Sequence, residues 1–437
     1  MTTIREDLED WLRIPSVSTG GGDADALSAA CDWAIERIEA AGGSAERVSV
    51  NGSHPMAIGE LRAKNGDAPT ILSYGHYDVQ DPGPVDAWES PPFEPTERDG
   101  RLYARGAADD KGNFLPLLHV ACELASAGEL PVNVRFLIEG EEEIGSEGVL
   151  RHLREQPPEV DAAIVFDSLM ADERTPAINT GTRGLVQGPV EVRTGARDLH
   201  SGLYGGAVLN ATHVLMEVLS TVLPDAAGRT REELRAGVAP LEDAERESWS
   251  RLPSGADMIA EAGAVAVGDG AADEFWERTG AEPSVDVNML TAGEPRTVIP
   301  STARAQLSIR LAPGQRAAEI AAEAERLLRE TVPDGAELSV HFDLAEPALF
   351  DANEPALQLA AGAFERACGT APAFVRLGGT LPLLSVLAEQ GVPTIVSGFA
   401  LGADAFHAPN ESYRLESLRM GELTARELYR ALAALPR

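Results

Sequence analysis

TILSYGHYDVQ, residues 70–80, begins with a short apolar run and continues into His76 and Asp78. Apolar runs of this length are typical of buried strands. Three similar runs occur further along the chain: VNVRFLI (132–138), AAIVF (162–166) and PTIVSGF (393–399). A helical pattern, NFLPLLHVACELASAG at 113–128, lies between the first two runs. Strands that alternate with helices predict a layered α/β sheet.

Polar, chemically active side chains follow each of these runs. After the later runs come Glu139, Glu141, Glu142, Glu143, Asp167 and His407. A further segment, RGAADDKG at 105–112, places Asp109 and Asp110 just before the helical pattern. Ligands of open α/β sheets bind at the carboxyl ends of the strands. We therefore expect these side chains to meet in one crevice.

So many carboxylates cannot all ionise in a poorly hydrated crevice unless cations offset their charge. Asp109, Glu143 and Asp167 together with one hydroxide balance two divalent ions, with His76 and His407 as neutral ligands. Imidazole and carboxylate ligands without thiolate suit zinc, and also manganese or cobalt. The sequence therefore predicts a site for two divalent metal ions.

Each of these residues also has an ordinary structural interpretation. Asp78 and Asp109 are of a type common in turns, and the acids at 139–143 are of a type common at helix starts. A single histidine such as His407 is more often a surface residue than a ligand. What favours a site is that all of them lie at the same edge of one predicted sheet.

From about residue 183 the pattern changes. A strand, a helix, two strands, a helix and a strand follow, interrupted by an Ala-, Gly- and acid-rich stretch at about 224–283. This βαββαβ order predicts a compact α+β unit. Because strand and helix patterns of the first kind resume after about 352, we interpret 183–352 as a domain inserted into a discontinuous domain formed by 1–182 and 353–437.

The composition narrows the class of protein. Of 437 residues, 44% are hydrophobic and 24% charged, and the net charge of −34 makes nucleic acid an unfavourable partner. No apolar run approaches the length of a membrane span, and the amino terminus does not resemble a signal peptide, so we expect a cytoplasmic protein. The three cysteines form no CxxC pair and are expected to be reduced.

Several motifs carry a family resemblance. They are YGHYDVQ, GRLYARGAADDKGN, IEGEEEIGSEG, VFDS, ARDLHSGLYGG, PRTVIPSTARAQLSIRL, RLGGTLP and GADAFHAPNE, in this order. They resemble the di-metal metallopeptidases that include aminoacylases, carboxypeptidase G and carnosinase-like dipeptidases, with the carnosinase-like, or cytosolic non-specific, dipeptidase branch as the nearest match. The resemblance implies a zinc-exopeptidase-like catalytic domain, with a mixed, mostly parallel sheet between helices, and an inserted ferredoxin-like lid that also dimerises.

The resemblance also implies individual metal-site roles. Asp109 would bridge both ions, and the other ligands would be His76, Glu143, Asp167 and His407. Asp78 would orient His76, and Glu142 would be the general base. The additional acid at Glu141 makes the register of the triplet ambiguous, although the spacing to the following Gly-Ser favours Glu142 as base and Glu143 as ligand. The Asp109–Asp110 peptide bond is expected to be cis.

Further residues are implied to bind substrate. His200 would reach into the active site of a partner subunit and stabilise the oxyanion, which requires a homodimer. Arg310 would hold the terminal carboxylate of the substrate, because its forked guanidinium can donate paired hydrogen bonds. The residues expected to assist it are Thr297, Gly379 and Thr380, the last standing where serine is commoner.

The expected activity is metal-dependent hydrolysis of dipeptides or short peptides that have a free terminal carboxylate. The lid would close over the substrate by hinge motion near 182 and 352. An N-acyl amino-acid amidohydrolase on the same site is the nearest alternative. A catalytically silent metal-binding protein would lack a ligand or the base, and a nucleotide-binding protein would carry a phosphate loop where this chain has GHYDVQDPG.

Overall fold

The computed structural model describes residues 2–379 and 381–436. Its strands are β1 (Ser44–Val48), β2 (Met56–Leu61), β3 (Thr70–His76), β4 (Thr96–Arg98), β5 (Arg101–Tyr103), β6 (Asn133–Glu139), β7 (Ala162–Phe166), β8 (Ala177–Thr182), β9 (Gly184–Arg193), β10 (Leu199–His200), β11 (Ser284–Ala292), β12 (Val298–Ile299), β13 (Thr302–Leu311), β14 (Glu337–Val340), β15 (Asp343–Ala345), β16 (Ala348–Leu349), β17 (Ala373–Leu377), β18 (Thr394–Ser397) and β19 (Ser412–Arg414).

The α-helices are α1 (Ile4–Leu12), α2 (Ala24–Ala40), α3 (Lys111–Ala127), α4 (Glu147–Glu155), α5 (Ser201–Tyr204), α6 (Ala211–Ser220), α7 (Asp243–Trp249), α8 (Gly255–Glu261), α9 (Ala317–Glu330), α10 (Pro355–Cys368), α11 (Pro382–Glu389) and α12 (Leu415–Leu432). Within the described ranges, no helix combines the length and the apolar character needed to cross a bilayer.

The largest sheet runs in the order β1-β2-β6-β3-β7-β18-β8-β16, with β17 paired to β8. The four central strands, β6, β3, β7 and β18, are parallel to one another and correspond to the four apolar runs. Both faces are covered, so every residue of β7 is buried, as continuous apolar strands require. The predicted mixed, largely parallel sheet is confirmed.

The carboxyl ends of these parallel strands lie at one edge. His76 is the last residue of β3, and it is the register partner of Glu139, the last residue of β6. Asp167 directly follows β7, and His407 lies on the loop that leaves β18. The geometry of the sheet therefore brings distant parts of the sequence to one place.

A second sheet and a second hydrophobic core form the lid. Its four main strands lie in the order β11-β13-β9-β14, all antiparallel, which is the ferredoxin-like arrangement. Helices α6 and α9 cover one face, where alternate residues of β9 and β13 such as Val186, Leu307 and Ile309 are buried. The other face carries the intervening, more exposed residues.

One boundary differs from the sequence-based prediction. Strand β16, Ala348–Leu349, lies inside the range 183–352 assigned to the insertion, but it pairs with Gly181 and Thr182 of β8 in the large sheet. Two residues are too few to give a recognisable strand pattern. Because β16 pairs with β8, the chain has already returned from the lid sheet to the large sheet at Ala348.

The stretch at 224–283 contacts both domains. Glu245 of α7 forms a bidentate ion pair with Arg376 of β17 at 2.8 and 2.9 Å, and both side chains are 1% exposed. Arg376 also donates to the backbone oxygens of Ala239 and Pro240, and the Thr180 hydroxyl donates to Glu245. This buried pair fastens the stretch to the edge of the large sheet.

We expect Glu245→Ala to lower the free energy of unfolding by about 3–5 kcal/mol, because it leaves the Arg376 guanidinium buried without its carboxylate partner. Chemical denaturation followed by circular dichroism measures this change. Glu416→Ala, which removes the exposed partner of Arg419, is the matched control and should have little effect. Equal effects of the two substitutions would contradict the importance of the buried pair.

Candidate metal centre and active site

Two groups of ligand-type side chains meet at the carboxyl edge of the large sheet. One consists of His76, Asp109 and Asp167, the other of Asp109, Glu143 and His407, and the ligand atoms of each group lie within 4.8 Å of one another. His76 Nε2 is 3.1 Å from Asp109 Oδ1, and His407 Nε2 is 3.0 Å from Asp109 Oδ2. Asp109 thus offers one oxygen to each group.

Asp78 lies behind His76 and is fully buried. The Nδ1 atom of His76 is 3.0 Å from the Asp78 backbone oxygen and 3.3 Å from Oδ1. The Asp78 carboxylate also accepts the backbone N–H groups of Glu142 and Glu143, at 3.2 and 3.1 Å, and the hydroxyl of Ser18 at 2.6 Å. It therefore orients His76, leaving Nε2 directed at Asp109, and it fixes the backbone that carries the two glutamates.

The three consecutive glutamates have different surroundings. Glu141 accepts the backbone N–H groups of His54 at 2.7 Å and Gly148 at 3.1 Å, so its carboxylate anchors the neighbouring loops. Glu143 Oε2 is 3.2 Å from His407 Nε2, within the second ligand group. Glu142 lines a cavity that opens beside the two ligand groups. Of the three, Glu143 thus belongs to a ligand group and Glu142 to the cavity lining, whereas Glu141 belongs to neither.

The electrostatics of the cluster reflect crowded acids. Burial, reinforced by the neighbouring acids, raises the pKa of Asp167 to about 7 and raises that of Glu142 well above its usual range. Asp109 behaves differently. Burial favours its neutral form, but hydrogen bonds with His407 and His76 hold its pKa below the usual value. Carboxylates gathered in this way need nearby positive charge to be ionised together.

The donor set fits two divalent cations. Each group provides one imidazole and two carboxylates, and Asp109 is common to both, as expected of a bridging ligand. The second nitrogen of His76 is held by Asp78, an arrangement typical of histidines that bind metals. The Asp109–Asp110 peptide bond is cis, as the resemblance implied.

A cavity of about 340 Å³ opens beside the cluster. Its polar wall includes Asp109, Glu142, Asp167 and His407, and its other residues are Ala108, Asn113, Ser168, Leu169, Leu377, Gly379, Leu381 and Phe406. The cavity is large enough for a small substrate, and its lining combines these polar groups with apolar side chains such as Leu377 and Phe406. Gly379 therefore lines the same cavity as Asp109 and Asp167, whereas Thr380 lies outside the described residues.

Three other expected substrate residues lie on the lid. His200 is exposed on β10 and pairs across the strands with Val298, next to Thr297. Arg310 is near the opposite end of β13, which starts at Thr302. Eight residues of extended strand span roughly 26 Å. The length of β13 therefore lies between Arg310 and the segment that carries Thr297.

Two residues of the site had no role in the sequence-based prediction. Gln80 Nε2 donates to Glu143 Oε2 at 2.8 Å. The fully buried Glu411 accepts the guanidinium of Arg105 at 2.6 Å and the backbone N–H groups of Gly106, Ala108 and Asp109 at 3.0, 2.8 and 3.1 Å. Gln80 lies in the motif YGHYDVQ and Glu411 in the motif GADAFHAPNE. Membership of these motifs is the feature of the sequence that could have identified both residues.

We expect Glu411→Gln to weaken zinc binding about 10–100-fold, because the amide group would face two of the donors that Glu411 now accepts and the Asp109 loop would lose its anchor. Calorimetric titration of the metal-free protein with Zn²⁺ measures the affinity, and circular dichroism verifies folding. Glu422→Gln, on the surface of α12, is the control. An unchanged zinc affinity in folded Glu411→Gln would contradict this role.

Comparison with known proteins agrees with this geometry. The model of peptidase family M20/M25/M40 matches residues 72–431. The cysteinylglycine-S-conjugate dipeptidase of Corynebacterium striatum is 32% identical over 400 residues, which cover 89% of this chain and 86% of that protein.

Solved structures are similar as well. Human carnosine dipeptidase 1 superposes with a TM-score of 0.78 at 25% identity, covering 99% of this chain and 96% of that one. An M20 family metallo-carboxypeptidase from Sulfolobus solfataricus superposes with a TM-score of 0.86 at 24% identity over the whole of both chains. The family match, supported by this similarity, shows that the chain is a hydrolytic peptidase and belongs to peptidase family M20/M25/M40.

Proposed function

We propose that this peptidase hydrolyses dipeptides or short peptides that have a free terminal carboxylate, using two divalent metal ions. The observation that carries the proposal is the pair of ligand groups sharing Asp109 beside Glu142 in one cavity. The names of similar proteins, a cysteinylglycine-S-conjugate dipeptidase and carnosine dipeptidase 1, support a dipeptide substrate. Zinc is the metal that the ligands suit best, with manganese or cobalt as the other candidates.

His76, Asp109, Glu143, Asp167 and His407 would hold the ions. When bound, the ions supply Lewis acidity toward the scissile carbonyl and the attacking water. Glu142 takes the proton from this water and then delivers it to the nitrogen of the leaving amine. Asp78 keeps His76 and the Glu142 backbone in place.

We further propose that the protein is a homodimer. Strand β11 is at the edge of the lid sheet, and its exposed residues include Met289 and Leu290, each about half exposed. Met216 of α6 is 60% exposed, and Leu203 is 78% exposed. An unpaired edge strand beside exposed apolar side chains favours association of two copies.

In this dimer His200 and Thr297 would serve the partner's active site, with His200 stabilising the oxyanion. Their separation from Arg310 along β13 supports action across the subunits. Mixed dimers of inactive His200→Ala and inactive Glu142→Ala subunits test the idea. We expect one restored active site per mixed dimer, because each chain supplies what the other lacks. No recovery of activity would contradict sharing.

The amidohydrolase alternative uses the same site on substrates in which an acyl group replaces the amino-terminal residue. A panel of dipeptides assayed beside N-acetyl and N-succinyl amino acids separates the two activities. We expect turnover of dipeptides to exceed that of the acylated substrates. Appreciable turnover of acylated substrates alone would overturn the dipeptidase proposal.

A further inference from the structure

A second arginine, Arg183, lies beside Arg310. It directly precedes β9, where Val186 and the other even-numbered residues point into the lid core. Side chains alternate along a strand, so Arg183 is on the opposite face, toward the catalytic domain. Arg310 is on this same face of β13, because its neighbour Ile309 is in the core.

The contacts of Arg183 place its guanidinium between the two domains. Its Nη1 atom donates to Ser284 Oγ at 3.3 Å, and Ser284 is the direct register partner of Arg310 in the lid sheet. Its Nε atom donates to the backbone oxygen of Gly378 at 3.3 Å. Gly378 is adjacent to Gly379, which lines the cavity beside the ligand groups. Arg183 thus connects the Arg310 region of the lid to the wall of the active-site cavity.

The two guanidinium groups repel each other. Burial lowers the pKa of Arg183 to about 10, and the charge of Arg310 contributes to the lowering, while Asp286 on the same face opposes it. Arg183 is therefore still a cation at neutral pH. Two half-buried cations at one place are stabilised by an anion that both can contact, and a carboxylate has two oxygens able to accept from two guanidinium groups.

We propose that Arg183 is a second substrate-binding arginine, which together with Arg310 recognises the terminal carboxylate of the peptide. This inference rests on the proposed function, since it assigns a further residue to the same substrate. This role explains why an arginine stands at the junction of the two domains, where its side chain contacts Ser284 of the lid and Gly378 of the catalytic domain. It also makes recognition of the carboxylate depend on the lid position.

The test compares alanyl-leucine with its carboxy-terminal amide as substrates of the metal-loaded enzyme. We expect Arg183→Met to lower kcat/KM for alanyl-leucine about 10- to 150-fold, mainly through KM, because a charge-assisted interaction is lost. Turnover of the amide should change less than about threefold. Arg183→Lys should fall between wild type and Arg183→Met, because it keeps the charge but not the paired donors.

The control is Arg304→Met. Arg304 is on the same face of β13 as Arg310 and is paired with Glu191, so its replacement should leave both substrates unaffected. Equal losses for acid and amide in both folded Arg183 variants would overturn the inference and show that Arg183 only supports the Gly378 loop. If wild-type enzyme hydrolysed neither peptide, the proposed function itself would fail, which is a distinguishable result.

Discussion

Glu142→Gln should lower kcat by about 10²–10⁴-fold, the contribution typical of a positioned general base, while the metal content and the oligomeric state stay unchanged. The amide is nearly isosteric with the carboxylate but cannot take a proton from water. Burial, reinforced by the charges of Asp167, Asp109 and Glu143, raises the pKa of Glu142, as in other carboxyl groups that transfer protons in active sites. Steady-state kinetics on a dipeptide, with metal analysis of the same sample, measures both properties.

Glu141→Gln is the matched control, because Glu141 is the adjacent acid in the same segment. Its contacts are the backbone N–H groups of His54 and Gly148, away from the ligand groups. We expect this variant to keep most of its turnover. Turnover by Glu142→Gln within about tenfold of wild type, or a larger loss in Glu141→Gln, would show that the base is assigned to the wrong residue.

Asp109→Asn should abolish most metal binding and with it nearly all activity. Asp109 is the residue that both ligand groups share, so its replacement weakens two sites with one change. An amide is also neutral, so two divalent ions would lose the charge that offsets them. Metal content after dialysis and turnover in excess Zn²⁺ together measure the effect.

Two variants give the comparison for Asp109→Asn. Asp99→Asn changes an exposed acid in a turn and should retain both ions and activity. His407→Ala removes a ligand from one group only, so we expect it to keep the ion held by His76, Asp109 and Asp167. If Asp109→Asn kept two tightly bound ions, Asp109 would not be the shared ligand.

The sequence predicted best those features in which a run of apolar residues and the polar residues at its end point to the same structure. Continuous apolar runs that end in polar residues indicated the central strands, and the rule that ligands gather at strand carboxyl ends predicted that His76 and Asp167 lie at one edge. Strand β7, which is fully buried, is the clearest instance. The βαββαβ order predicted the lid for the same reason, because its central strands β9 and β13 alternate buried and more exposed residues.

Other features depend on distances that no local pattern encodes. Thr297 and Arg310 are close in sequence, yet the length of β13 separates them, and only the path of the strand shows it. Glu411 meets its donors across about 300 residues of sequence, so its anchoring of the Asp109 loop becomes visible only in three dimensions. The pairing of Glu245 with Arg376 is long-range in the same way.

Crystals of the zinc-loaded protein, measured at the zinc absorption edge, test the central claim most directly. We expect two anomalous peaks per chain about 3.5 to 4 Å apart, one beside His76 and Asp167, the other beside Glu143 and His407, with Asp109 between them. A single peak, or peaks away from Asp109, would contradict the two-metal centre from which the proposed activity is derived.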